Sequence, residues 1–146
     1  FSKQFEIDFQ QVPCFIEGND DYSVKKVQDL ARSVSPKVYS LSSQKRQYLH
    51  LSAVWACNFA NHCFDVASNI LSKQNIPFEV LLPLIDETTR KIHTISPHQA
   101  QTGPAIRYDE NVIRSHAALL KDNPLLKDLY ERMSLSINKF SKNTSK

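Results

Sequence analysis

The fold turns on one stretch, Leu49-His50-Leu51-Ser52-Ala53-Val54-Trp55-Ala56-Cys57-Asn58-Phe59-Ala60-Asn61-His62-Cys63. It holds neither glycine nor proline. Its bulky members Leu51, Val54, Trp55 and Phe59, with Val66 beyond, occupy nearly every face of a 3.6-residue period. Ala53, Ala56, Ala60 and Ala67 add a stripe of small residues. Followed outward to its punctuation, the pattern predicts one helix from about Gln44 to Lys73, capped by Ser42 or Ser43, far longer than the mean of ~11–12 residues. A helix apolar all round is buried all round, so this one is expected to run through the middle of a helical assembly. Interrupted by Asn58, Asn61 and His62, its apolar part is too short to cross a bilayer, which takes ~18–20 apolar residues. No membrane span is expected, and no membrane partner.

Upstream, the pattern changes. Val12 to Glu17 is a short apolar run bounded by Gly18-Asn19-Asp20 and reads as a strand. Tyr22 to Val34 carries apolar residues at a helical period and stops at Ser35-Pro36, and Lys37 to Leu41 alternates as a second strand. Strand, helix and strand in about thirty residues make a βαβ unit with parallel strands. Two parallel strands alone are not stable, so strands upstream of Phe1 in a longer protein, or a second copy of the chain, are expected to complete the sheet. A start without Met, inside an apolar pattern and with no basic-then-apolar leader, is expected of an excerpt from a longer cytoplasmic protein.

Downstream, everything is helical. A second helix follows Pro77 and reaches about Ile95, with Pro83 expected to kink it or delay its start. Ser96-Pro97 begins a short turn through Gln101, Gln101 to Pro104 reads as a loop, and Asp109 caps a helix from about Glu110 to Lys121. Asn123-Pro124 opens the last helix, which runs to about Phe140, with a polar, frayed tail from Ser141. The expected fold class is therefore mainly α, a helical bundle preceded by a βαβ remnant, with domains at 1–42 and 43–146.

Composition narrows the chemistry. The 146 residues include 18 basic and 15 acidic ones, a net charge of +3, so nucleic acid is not an expected partner. Two glycines, Gly18 and Gly103, cannot build a glycine-rich phosphate loop, which needs two or three of them close together. On a regular helix Cys57 and Cys63 lie ~9 Å apart, too far for a disulfide, and with Cys14 they read as reduced thiols. His62 beside Cys63 has no second ligand pair, so no metal is expected. No Ser-His-Asp ordering supports a hydrolase. Glu87 to Lys91 reads as a solvated face.

Two constellations carry candidate chemistry. On the long helix, Asn58, Asn61 and His62 stand at i, i+3 and i+4, and an amide among apolar residues must find partners. Asn58 either bonds a neighbouring carbonyl, with Asn61 and His62 lining a polar seam, or faces a cleft. His50, ~12 Å along the axis and ~80° around it, faces that cleft or is a surface histidine. The second constellation is Thr102-Gly103-Pro104-Ala105-Ile106-Arg107-Tyr108-Asp109. Gly103 suggests a backbone conformation or a close approach that no side chain tolerates, and Arg107 offers a planar fork for carboxylate or phosphate. Asp109 either holds Arg107 or caps the next helix. The segment reads equally as a rigid turn whose Arg107 pairs with Asp109 or Glu110.

The run Leu49 to Phe59, followed by Leu82-Pro83-Leu84-Ile85-Asp86-Glu87-Thr88 and by Gln101 to Asp109, resembles the C-terminal domain, of unknown function, of a bacterial family of Rossmann-like NADP oxidoreductases. The likeness covers about Val12 to Ile137. That family is similar in plan to ketopantoate reductase and pyrroline-carboxylate reductase. It has an N-terminal NADP-binding Rossmann domain, then a dimerising helical domain of the phosphogluconate-dehydrogenase C-terminal type.

The resemblance implies that Val12 to Leu41 ends the Rossmann domain, that NADP is bound mainly by the part outside this chain, and that the active site lies between the domains. It implies a homodimer acting on a small keto or imino acid-like substrate. By analogy His50 would deliver a proton and Asn58 orient a carbonyl or the nicotinamide amide. Thr102, Gly103, Arg107 and Asp109 would line the substrate pocket or the dimer contact. One departure stands out. Relatives that reduce keto acids carry Lys four residues before the Asn, where this chain has Val54. A non-catalytic dimerisation or ligand-sensing module is therefore the competing expectation.

Overall fold

A computed structural model describes residues 7–143, so the expectations for Phe1 to Phe5 and for the tail beyond Asn143 lie outside the described residues. The chain divides after Pro77 into two compact units.

In the first unit, β1 (Cys14–Ile16) and β2 (Val38–Ser40) form a two-stranded parallel sheet, with Phe15 opposite Tyr39, and α1 (Asp21–Val34) packs on both strands. The expected βαβ unit is present, each strand being shorter than its apolar pattern. Asp20 caps α1 by accepting the Ser23 amide at 2.8 Å. With the Ser23 hydroxyl as a second donor, this holds its carboxyl below the usual carboxylate range. Gly18 is needed for closeness, because a Cβ there would meet the Val24 nitrogen at 2.8 Å. Ile16 and Ala31 are buried. Ser35 is fully buried, its hydroxyl donating to Val12 O at 2.6 Å and accepting from Lys37 N at 3.1 Å. The residue read only as a helix stop thus ties both strand beginnings together.

The long helix is present, in three consecutive parts: α2 (Ser43–Ala53), a π-helical segment (Val54–Phe59) and α3 (Ala60–Ser72). Ser42 is its cap. Its first turn is clasped to the sheet: the Ser43 hydroxyl donates to Glu17 Oε2 at 2.5 Å and Arg46 Nη2 to the same oxygen at 2.6 Å. Ser43, then Arg46, hold the Glu17 carboxyl below its usual range. The expectation of burial is corrected. No residue of the helix is buried, and Leu51, Trp55 and Phe59 are 53%, 57% and 46% exposed.

The second unit begins with a 3₁₀ turn (Phe78–Leu81) and α4 (Leu82–Lys91), so Pro83 delays the α-helix rather than kinking it. The helix stops at Lys91, four residues before Ile95, whose amide bonds back to Lys91 O. α5 (Pro97–Ala100) is capped by Ser96 in a capping box with Gln99. The expected loop is present from Gln101 to Gly103, and at Pro104 it leads into a one-turn helix that was not expected, α6 (Pro104–Arg107). α7 (Glu110–Leu119) and α8 (Pro124–Asn143) follow, and α8 continues through residues expected to fray. α6, α7 and α8 pack on one another, burying Ala105, Ile113 and Ala117 with Ser134 and Asn138. A His116 Nδ1 to Tyr130 Oη hydrogen bond of 2.9 Å also links α7 to α8.

Candidate functional site

The π segment decides what the long helix can present. Its i→i+5 turns are wider than α-turns and accumulate less rotation per residue. The ~80° offset expected between His50 and Asn58 on a regular helix therefore shrinks, turning Asn58 toward the His50 face. Trp55 and Phe59 span the same segment as an edge-to-face pair, centroids 4.8 Å apart. His50, Asn58, Asn61 and His62 are all exposed. Of the two readings of Asn58, the bond to a neighbouring carbonyl is not formed among the described residues. It is Asn69 that donates to the carbonyl four residues back, Asp65 O, at 2.8 Å.

The second constellation is a built turn. Gly103 has φ 101°, ψ 178°, a region open essentially to glycine alone, and Tyr108 has φ 52°, ψ 53°, the left-handed region. Between these two residues α6 buries Ala105, and the Asp109 amide closes the turn on Pro104 O at 3.0 Å. Asp109 is a cap: its Oδ1 accepts the Val112 amide at 3.3 Å. Glu110 lies 3.9 Å from Arg114. Arg107 pairs with neither, and among the described residues its exposed guanidinium has no ion pair or hydrogen bond. Thr102 is exposed, its carbonyl accepting from the Gln101 side chain.

The structure thus places His50 and Asn58 on one helix of the first unit, and Thr102, Gly103, Arg107 and Asp109 on one turn of the second. It adds Asn138 of α8, whose Nδ2 donates to Ile106 O at 2.8 Å. The sequence signal for Asn138 was a polar pair, Ser134 and Asn138, at i and i+4 in an otherwise amphipathic helix.

Glu87 pairs with Arg90 and, at 3.6 Å, with Lys91, a solvated face as expected. Cys14, Cys57 and Cys63 are free thiols. Among the described residues no three His, Cys, Asp or Glu side chains gather as metal ligands, and no helix is long and apolar enough to cross a membrane. The turn after β1 does not fit a dinucleotide's phosphates. It has Gly18 as its one glycine and is closed against the start of α1, so no cofactor contact is assigned to it.

A mainly α chain carrying a small parallel βαβ piece, with a strained arginine turn in its helical part, defines a class of α-rich domain joined to nucleotide-fold elements. Its family follows from comparison: residues 12–137 match the model of the Domain of unknown function (DUF2520), and the chain belongs to that family. It is similar to the crystal structure of a protein from Bacteroides fragilis titled "putative NADP oxidoreductase", at 50% identity and a TM-score of 0.90, over 95% of this chain and 54% of that one. A Thermotoga maritima protein shares the fold at 22% identity and a TM-score of 0.76, over 94% of this chain and 56% of that one. The chain spans about half the length of both. No match was found among the curated proteins.

Proposed function

We propose that this chain is the dimerising and substrate-binding part of an NADP-dependent oxidoreductase acting on a small keto or imino acid-like substrate. The observation that carries the reading is the 50% identity over nearly the whole chain to the Bacteroides fragilis protein with that title. NADP supplies the hydride and is held by the part of the protein outside this chain. In this reading the evolutionary boundary falls at 42/43, where the Glu17–Ser43–Arg46 clasp crosses it, although compactness alone divides the chain at 77/78.

Each residue has a task suited to its chemistry. His50 delivers a proton to the reduced carbonyl or imine, and the Asn58 carboxamide donates to the oxygen and orients it. On the second unit, Arg107, without a partner among the described residues and carried on a rigid turn with Thr102, Gly103 and Asp109, is suited to receive a carboxylate in a two-point contact. The naked apolar long helix supports a homodimer, because exposed apolar surface on this scale marks an interaction face. The absence of lysine at Val54 favours the second reading, a dimerising or ligand-sensing module without turnover.

The test uses the full-length protein. NADPH binding is followed by fluorescence quenching, then a panel of keto acids and imines is assayed for turnover. His50→Gln is expected to lower kcat by about 10²-fold or more with an unchanged melting temperature, the scale of a lost acid–base group. Tight NADPH binding with no turnover favours the sensor. Light scattering that returns a monomer at high concentration overturns the dimer.

A further inference from the structure

α8 is unusual in what it buries. Of its apolar side chains, Leu125, Leu129, Met133, Leu135 and Phe140 are exposed by 41% or more and Leu126 and Ile137 are half-buried, while its buried residues, among those described, are polar, Ser134 at 5% and Asn138 at 6%. Burying an amide in preference to a leucine runs against the usual ordering, and such local violations collect where function or a specific geometry demands them. Ser134 satisfies itself within its own helix, its hydroxyl donating to Tyr130 O at 2.9 Å. Asn138 instead reaches out of α8 and donates to Ile106 O at 2.8 Å, across 32 positions of sequence.

The acceptor is informative. A four-residue helix satisfies few of its last carbonyls. In α6, Pro104 O and Ala105 O are taken by the closing amides of Asp109 and Tyr108, and Ile106 O is taken by Asn138. The Ile106 carbonyl belongs to the peptide that leads into Arg107. That peptide is fixed by the Asn138 amide on one side. On the other, the left-handed Tyr108 and the Asp109 cap fix the next one. The root of Arg107 is therefore held while its guanidinium has no partner among the described residues, the arrangement of a preorganised anion receptor.

We infer that Asn138 is the positioning residue of the Arg107 turn: it touches no ligand and sets where the guanidinium waits for the substrate's anionic group. The inference rests on the proposed role of Arg107.

The test titrates the full-length protein with oxalate by calorimetry, in a double-mutant cycle over Arg107 and Asn138. Arg107→Met is expected to weaken oxalate binding by about 10- to 100-fold, the worth of a charge-assisted two-point contact. Asn138→Asp, which keeps the size but sets a carboxylate against the Ile106 carbonyl, is expected to weaken it by about fivefold or more. In the Arg107→Met background Asn138→Asp should cause no further loss, because both act through one group. Asn138→Leu, of the same branched shape and without a donor, supplies the same comparison if the aspartate variant does not fold. The three-bond HN–Hα coupling of Tyr108 is expected to shift in the Asn138 variants, reporting the released turn.

Unchanged oxalate affinity in a folded Asn138 variant, with Arg107→Met still weakened, overturns this inference alone. An equal loss in both backgrounds also overturns it, since Asn138 then acts on stability at large. If Arg107→Met binds oxalate as wild type does, the proposed role of Arg107 falls, and the positioning role with it.

Discussion

The helix that carries His50 and Asn58 runs from Ser43 to Ser72 without burying one of its residues. The turn that carries Arg107 spans only Thr102 to Asp109, yet buries Ala105 and is tied down by Asn138, by a cap and by two residues at positive φ. The two candidate regions therefore differ in where their rigidity comes from. The arginine turn brings its supporting shell from the same unit. The long helix has a clasp at its first turn and apolar surface on all sides, and its remaining support must come from surfaces it does not itself supply. A site residue on the first kind of element is set by buried local contacts, while one on the second has no buried neighbour in its own helix to set it.

The largest effects should separate the two regions. Ile113→Ala in α7 empties a buried position and is expected to cost about 2–5 kcal/mol in denaturant unfolding. Leu51→Ala, at a 53% exposed position, is expected to stay within about 0.5 kcal/mol. A Leu51 cost as large as that of Ile113 in the full-length protein would break the comparison in a useful way, by revealing a surface that covers the helix.

Next comes Gly103→Ala, expected to cost about 1–3 kcal/mol from the backbone alone, since nothing lies within 4 Å of an added Cβ. A neutral melting temperature would mean that the turn is not held as described. Removing the cap with Asp109→Ala should cost about 1 kcal/mol, on the side of the arginine turn.

The smallest effect is the pH dependence of the clasp. Glu17 has a lowered pKa in the folded state, so its contribution is present above the unfolded value and is lost as pH falls through the folded one. The melting-temperature difference between wild type and Glu17→Gln should be largest at neutral pH and vanish in acid. A difference that grows in acid would remove the clasp from the account.

What the sequence disclosed follows the range of the forces involved. Ser42, Ser96 and Asp109 are local caps, and each helix start they announce is found within a residue or two. α6 was hidden in a run read as a loop, because one turn of helix between Gly103 and Tyr108 has too few residues to show a period. Gly103 was read correctly as a position with special backbone. Asp109 was legible as a cap, but Arg107's lack of a partner among the described residues was not, since that depends on what the surrounding side chains do instead. Asn138 acts on a carbonyl 32 residues away, a separation no window of periodicity reaches. Apolarity on every side marked the long helix for burial, but the structure leaves its residues unburied, because a pattern of apolar residues records what can be covered and not what packs on it.

The π segment has a bearing on chain length. An i→i+5 turn houses one residue more than the α-turn it replaces, so the helix from Ser43 to Ser72 contains a residue that its register does not count. Adding or deleting a residue at an ordinary helix position such as Asn69 turns everything beyond it by ~100° and shifts it by ~1.5 Å. Within Val54 to Phe59 a one-residue deletion can be absorbed by relaxing to an α-turn, leaving α3 pointing as before. This is the one place in the helix where its length can vary while its downstream faces stay aligned, and Asn58 sits inside it.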